Sequence, residues 1–366
     1  MFELESEVIF EDLCTFCGAC AAVCDRIKMD REAGAPKLDQ MCFEEKMCLD
    51  ICPRQSLDVE SLEASLFDEQ RTDSALGVYR KSVRARSKDS DIARRAQSGG
   101  FVTSLLISAL ENGMIDGAVV TSSDFTKDEE PHPIVADSKE AILAASGSKY
   151  TPTPVVLGLR QAVDQGYQRV GLVGLPCHIE ALRKMQTSQY DFSVAKRVSL
   201  VVGLFCSKSF LYKPFMQTSR AIVDKEKIRK FDMKGSNFYI YTENEKEFKV
   251  PLKKLDTCAR SACKVCTDYS AELADISVGS VGSPAGYSSV IIRDKRGLQA
   301  TNFAAEQDYI EIQNMNSKDI SLIRQQALKK KKAGFKEIVS RISPLKLMHL
   351  VLNPNQLRIE PVFEQT

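Results

Sequence analysis

The stretch Cys14-Thr-Phe-Cys-Gly-Ala-Cys-Ala-Ala-Val-Cys24 carries the spacing C-x2-C-x2-C-x3-C, and Cys42, Cys48 and Cys52-Pro53 follow it. Thiolates two residues apart on a tight loop can each grip one corner of an iron–sulfur cubane, while the fourth cysteine of the run is drawn to a neighbouring cluster. By that logic Cys14, Cys17, Cys20 and the distant Cys52 hold a first cluster. Cys24, Cys42 and Cys48 then hold a second. This second set lacks its middle cysteine, and Glu45 stands in that place. Its fourth iron is therefore ligated by oxygen, open or absent, so the centre is [4Fe–4S] or [3Fe–4S] and its potential differs accordingly. Cys24 also lacks a following proline. A zinc-binding head is the alternative reading, although zinc sites seldom use this spacing.

Working outward, residues 1–58 read as a small bacterial-type ferredoxin domain, too short to fold without metal. Residues 59–78 are polar and acidic and read as a linker. From Tyr79 the texture alternates between strand and helix signals. Gln97-Ser-Gly-Gly100 opens a helix that Gly113 stops, and Gly117-Ala-Val-Val-Thr121 is the next strand. Val170-Gly-Leu-Val-Gly174 and Arg197-Val-Ser-Leu-Val-Val-Gly-Leu-Phe205 are buried strands, with a helix to about Met185 between them. Asn237 to Thr242 and Phe248 to Leu252 flank a polar turn and read as a hairpin. Asp275-Ile-Ser-Val-Gly279 and Ser288-Ser-Val-Ile-Ile-Arg293 add two strands, and residues 301–366 read as a mainly helical extension. The expected fold class is α/β (α+β): a mixed-sheet domain over 79–300 behind a ferredoxin head.

The remaining cysteines are Cys177, Cys206, Cys258, Cys263 and Cys266. Cys177 and Cys206 each close a buried strand, and a right-handed crossover would set those strands side by side or nearly so. Both thiols then lie at the carboxyl edge of the sheet, where α/β folds place their ligands. Cys263-Lys-Val-Cys266 can add two thiolates from a loop. Four converging thiolates suit another [4Fe–4S] cluster; scattered core cysteines or a zinc site remain the alternatives. Cys258 is surplus, either a spare buried thiol or an alternative ligand.

Hydrophobic residues make up 43% of the 366 residues and charged residues 27%, a soluble-globular balance with room for two or three domains. A net charge of +1 gives no reason to expect nucleic acid. Met1-Phe-Glu-Leu-Glu-Ser-Glu has no signal-peptide character, and the longest apolar runs, Phe101 to Leu110 and Val198 to Cys206, are too short to span a bilayer. Closely spaced cysteines chelate better than they pair, which fits a reducing cytoplasm. The expectation is a cytoplasmic protein, held at a membrane only through partners. Lys329-Lys-Lys-Lys332 reads as a solvated helix face, or else as a docking patch for an acidic partner or anionic headgroups.

Several motifs occur in a fixed order: Gln97-Ser-Gly-Gly-Phe-Val-Thr103, Gly113-Met-Ile-Asp-Gly-Ala-Val-Val120, Gly147-Ser-Lys-Tyr150, Gly174-Leu-Pro-Cys-His178, Gly203-Leu-Phe-Cys206, and the long run from Cys263 through Ser280-Val-Gly-Ser-Pro284. Together they resemble the coenzyme F420 hydrogenase/dehydrogenase beta-subunit family over roughly residues 79–300. With a ferredoxin head in front, the chain looks most like the input subunit of an F420H2 dehydrogenase.

The resemblance implies FAD and one [4Fe–4S] cluster in the body, with coenzyme F420 as substrate. Carried over by motif, Cys177, Cys206, Cys263 and Cys266 match the cluster positions. The FAD site falls on Ser98, Gly99, Gly100 and Thr103, on Gly147, Lys149 and Tyr150, and on Ser280, Val281, Gly282 and Ser283. Glycines at a helix start let backbone N–H groups approach a pyrophosphate. Lys149 and Tyr150 would contact phosphate or stack on the ring, and His178 would manage a flavin proton or serve structure alone. The implied activity is hydride exchange between F420 and FAD, with single electrons passing through the clusters to partner redox subunits. No acid–base dyad or nucleophile is required. The alternatives are an F420-reducing subunit of a hydrogenase or formate dehydrogenase complex, a ferredoxin-dependent reductase of an organic substrate, and a zinc-stapled interaction protein.

Overall fold

The buried runs read from the sequence form the centre of one eight-stranded mixed sheet. In a computed structural model, which describes residues 2–39, 42 and 46–341, thirteen strands occur among the described residues. They are β1 (Ile27–Asp30), β2 (Ala35–Leu38), β3 (Lys81–Ser87), β4 (Gly117–Ser122), β5 (His132–Ala136), β6 (Val170–Gly174), β7 (Val198–Leu204), β8 (Ile228–Lys234), β9 (Asn237–Thr242), β10 (Glu247–Pro251), β11 (Ile276–Gly279), β12 (Ser288–Ile292) and β13 (Ile310–Asn314). The large sheet runs β13-β3-β12-β11-β7-β6-β4-β5. Its middle strands β4, β6, β7 and β11 are parallel, and the flanking strands are antiparallel.

Parallel strands must be covered on both faces, and period-two alternation assigns the side chains to two layers. Val119, Val170, Leu172 and Val201 pack with helices Val155–Asp164 and Pro176–Thr187. Ala118, Val120, Leu200 and Val202 pack with helices Phe101–Glu111 and Lys295–Glu306. A buried ion pair pins the first layer: Arg183 Nη2 lies 2.5 Å from Asp275 Oδ1, Arg183 Nε donates to the Leu273 carbonyl, and Asp275 Oδ2 accepts from Val201 N–H. The expected adjacency of the strands before Cys177 and Cys206 holds, because β6 pairs with β7 in parallel.

The hairpin expected near 237–252 is β9–β10, and β8 joins it in a three-stranded antiparallel sheet. Phe210, Phe215, Phe231 and Phe238 fill its core. Cys258 is buried there with its sulfur 3.7 Å from the Thr218 hydroxyl, as a spare core thiol would be.

Two connecting regions differ from their expectations. The 59–78 stretch, read as a linker, starts with helix Val59–Leu66 and buries Leu62, Phe67, Ala75, Leu76 and Val78. Some of its charges are paired inward rather than solvated: Arg71 bridges Glu63 and Glu272, and Arg293 of the body donates to the Leu76 and Val78 carbonyls. The expected helical extension contains β13, an edge strand of the main sheet, before helix Ser317–Arg341. Glu45 lies outside the described residues.

The head docks against the body with few residues of its own. Gly18, at φ +85°, sits where a Cβ would lie 2.8 Å from Pro154 Cβ, and Val156 N–H donates to the Cys17 carbonyl. Arg260 Nε donates to the Cys14 carbonyl at 2.8 Å and its guanidinium also reaches the Gly34 carbonyl. Lys184 donates to the Cys52 and Gln55 carbonyls. Body side chains thus satisfy backbone acceptors that the head's short loops leave open.

Candidate functional site

The carboxyl ends of β6, β7 and β11 lie together at one edge of the sheet, and each opens directly into a sequence motif. Beyond β6 comes Leu175-Pro-Cys177, which starts helix Pro176–Thr187. Beyond β7 comes Cys206, whose N–H donates to the Tyr269 carbonyl and so ties it to the loop carrying Cys263 and Cys266. In that loop Ser209 N–H donates to Cys263 Sγ at 3.4 Å, and Cys266 Sγ lies 3.5 Å from the Asp268 carbonyl. Cys177 feels the charge of Cys206, and Cys206 that of Cys263 and Cys266. The four body cysteines expected to act together are therefore gathered at one place.

The head cysteines lie close enough to act on one another, and Cys48 of the second expected set also acts on Cys20 of the first. Cys14, Cys17 and Cys52 all bear electrostatically on Cys20, while Cys48 is next to Cys24 and Cys42. The first head group also adjoins the body group, since Cys17 acts on Cys177. No three or more His, Cys, Asp or Glu among the described residues close on a single-ion position.

Desolvation raises these thiols: Cys52 and Cys206 are pushed up to about 12, and Cys20 and Cys177 well above the ordinary value. A thiolate here needs a cation. The protein supplies Arg260 beside Cys14 and Lys184 beside Cys52 in the head, and two cations at the body thiols. Arg54, two residues after Cys52, is held among Cys266, Cys177 and Glu180 and hydrogen-bonds Cys266; Arg54 Nη1 lies 3.6 Å from Glu180 Oε2. Lys330 donates to the Cys206 carbonyl at 2.5 Å and faces Cys206, Cys263 and Cys266, which keep its ammonium above the usual lysine range. The tetralysine run is thus no uniform solvated face. Lys329 and Lys332 are exposed, but Lys330 and Lys331 turn inward, Lys331 onto Glu272. A helical stripe of Ile323, Ala327, Gly334 and Ile338 contains position 330, and that period is a readable signal. Gly334 lets the helix lie flush on the thiol loop, for a Cβ would sit 2.8 Å from the Cys266 carbonyl.

The three motifs assigned to a flavin also come into one neighbourhood. Ser98 Oγ is 2.9 Å from Ser288 Oγ, and Ser283 Oγ is 2.7 Å from Ser289 Oγ, so both motifs meet at the start of β12. The Gln97 amide donates to Asp232 on β8, and the charge of Asp232 acts on Tyr150. Asp232 escapes a sequence reading because no motif contains it. Gly100 is the left-handed N-cap of helix Phe101–Glu111, at φ +75°, and Thr103 is buried in its first turn. Gly147, at φ +87°, faces open space, whereas a Cβ on Gly282 would lie 2.6 Å from the Asp319 carbonyl. Ser280 is exposed, and the Val281 carbonyl accepts from Ser289 Oγ. Gln97 Oε1, Ser123 Oγ and Thr151 Oγ1 are buried without a hydrogen-bond partner among the described residues. Unsatisfied acceptors and hydroxyls beside these loops fit a polar ligand.

Three expected contacts take another form. Gly99 packs flush on the sheet, its N–H already given to Ser288 Oγ, and a Cβ there would lie 2.5 Å from the Ala85 carbonyl. Lys149 turns back onto the carbonyls of Ala145, Ser146 and Gly147, and burial pulls it down to about 8. His178 accepts from Leu175 N–H at Nδ1 and hydrogen-bonds the Thr153 backbone; burial lowers it to about 4. These are the bonds of a neutral helix cap, and Pro176 at the helix start explains why the cap falls to a side chain.

Fold and site define an α/β protein with a cysteine-lined sheet edge and a ferredoxin-like head fixed beside it. Two family descriptions match, both for the coenzyme F420 hydrogenase/dehydrogenase beta subunit: its N-terminal part over residues 82–160, and its C terminus over residues 167–318. The chain is 38% identical to the coenzyme F420 hydrogenase beta subunit of Methanothermobacter thermautotrophicus, over 73% of this chain and 96% of that one. It is 31% identical to a subunit of the F(420)H(2) dehydrogenase of Methanosarcina mazei, over 92% of this chain and 96% of that one. The coenzyme F420-dependent sulfite reductase of Methanocaldococcus jannaschii is 34% identical over 92% of this chain, which spans 52% of that relative. A chain of the F420-reducing [NiFe] hydrogenase complex from Methanosarcina barkeri superposes with a TM-score of 0.69 at 35% identity, covering 73% of this chain and 94% of that chain. The protein belongs to the coenzyme F420 hydrogenase/dehydrogenase beta-subunit family.

Proposed function

We propose that this chain is the electron-input subunit of an F420H2 dehydrogenase-type system, taking hydride from reduced coenzyme F420 and passing electrons singly to partner redox subunits. The observation that carries this reading is the adjacency of two thiol groups, the body group at the sheet edge and the first head group beside it. Bound FAD would supply the exchange between two-electron and one-electron chemistry, and bound iron–sulfur clusters the one-electron carriage.

The chain's own residues perform three tasks. Cys177, Cys206, Cys263 and Cys266 would hold a body cluster; Cys14, Cys17, Cys20 and Cys52 a first head cluster; and Cys24, Cys42 and Cys48 a second. Ser98, Gly100, Thr103, Gly147, Tyr150 and the Ser280–Ser283 turn would cradle the flavin at the other end of the same edge. Arg54 and Lys330 offset the charge of the body thiolates, and Arg260 and Lys184 that of Cys14 and Cys52.

Relatives matched over 92% of the chain leave 8% unmatched, fewer residues than the head contains, so their likeness extends into the head. That favours the dehydrogenase type over a hydrogenase subunit matched over 73%. The test is to mix anaerobically purified protein with reduced F420 and an artificial one-electron acceptor and follow the deazaflavin absorbance. Rapid, acceptor-dependent oxidation is expected. Iron- and flavin-replete protein that leaves reduced F420 untouched would sink the reading.

A further inference from the structure

Arg54 belongs to the head by sequence and to the body by position. Its side chain lies among Cys177, Cys263 and Cys266 of the body, and its charge also reaches Cys14 and Cys17 of the head. Its one carboxylate neighbour, Glu180, stands at 3.6 Å, beyond hydrogen-bond length. Arg54 Nε is buried with no hydrogen-bond partner among the described residues, a donor left for an acceptor that the polypeptide does not provide. A guanidinium remains charged even when buried, so this is a fixed positive charge between two thiol groups. Lys330 is a second buried cation, and the thiols that act most strongly on it are Cys266, Cys206 and Cys263, all of the body.

We propose that Arg54 is the electrostatic coupler of the two inner centres, a positioning residue whose charge and unpaired Nε–H favour the reduced state of the body cluster and, more weakly, of the first head cluster. The proposal rests on the reading that these thiols hold iron–sulfur clusters. Each reduction adds one electron, and so one negative charge, to a centre; no protein bond is made or broken. A fixed cation close to both centres stabilises that added charge in each.

The experiment is potentiometric titration of the anaerobically purified full chain, followed by electron paramagnetic resonance, with iron content measured first. Arg54→Gln is expected to disfavour reduction of the body cluster about tenfold or more, which is about 59 mV for a one-electron couple. The first head cluster should move less and the second not at all, and Arg54→Lys should recover most of the shift. Lys330→Gln should lower the body cluster alone. If Arg54→Gln does not fold, Glu180→Gln provides the opposite sign, a rise in the body potential on loss of a neighbouring negative charge. Iron-loaded variants with unmoved potentials, or with all centres moved equally, overturn the inference. Wild-type protein without iron overturns the underlying reading, and this inference with it.

Discussion

The head and the body place the same donor, a cysteine thiol, by opposite means. In the head, Cys14, Cys17 and Cys20 are neighbours because they are close in sequence, held by the short hairpin β1–β2 and small helices and packed against Leu157, Val265 and Ile338 of the body. In the body, Cys177, Cys206 and the Cys263–Cys266 loop are far apart in sequence and meet because β6 and β7 pair in parallel below them. The head, with little regular structure of its own, is expected to depend on what it binds, whereas strand pairing sets the body's geometry. Local spacing and sheet topology are two ways to build one kind of site, and they fail differently.

The largest test of that contrast is removal of iron. Anaerobic chelation should melt the head, since a structural metal supplies on the order of 10 kcal/mol to a fold this small. Hydrogen exchange would show loss of protection through the head hairpin while β6 and β7 stay protected; equal loss in both regions would break the comparison. Next in size is the body's own anchor. Arg183→Met leaves the buried Asp275 with Arg296, at 3.2 Å, as its remaining ion-pair partner, and chemical denaturation should show a loss of about 3 kcal/mol, the low end for a broken buried pair, with head iron retained. The seam comes third. Gly18→Ala combines a positive φ with a close approach to Pro154 and should cost about 1–3 kcal/mol, read as faster proteolysis of the head with β6 and β7 unaffected.

The smallest effect is a pH dependence confined to the body. Lys149 is depressed to about 8 against an ordinary 10.5, so between these values the unfolded chain binds more protons than the folded one. Stability should rise with pH through that window, by up to about 1.4 kcal/mol per unit, and the advantage is lost as pH falls through 8. Lys149→Met should flatten this slope in urea titrations at stepped pH. A slope left intact would assign the dependence to another group.

What is legible in the sequence follows the same division. The cysteine-rich head is readable from spacing, and β4, β6, β7, β11 and β12 from runs of Val, Ile, Leu and Gly. β3 is not, because Lys-Ser-Val-Arg-Ala-Arg-Ser87 hides a buried Val83, Ala85 and Ser87 behind arginines that pair with Asp319 and Glu311. The 59–78 segment misleads for the same reason: its charge suggests solvent exposure, yet Arg71 closes on Glu63 and Glu272. At the candidate site, cysteines and glycines announce themselves by motif. Asp232, Arg54 and Glu180 do not, since each acts across a fold contact that no local pattern encodes. His178 stands out only for its place beside Cys177, and its bonds are those of a helix cap.

The clasp made by Arg260 on Cys14 and Gly34, and by Lys184 on Cys52 and Gln55, bears on any attempt at grafting. These side chains recognise carbonyl groups, which every polypeptide has, so a foreign ferredoxin could be seated on this scaffold if its loops followed the same path. Unless it brought a cation to the place of Arg54, the body's thiol group would be left one positive charge short.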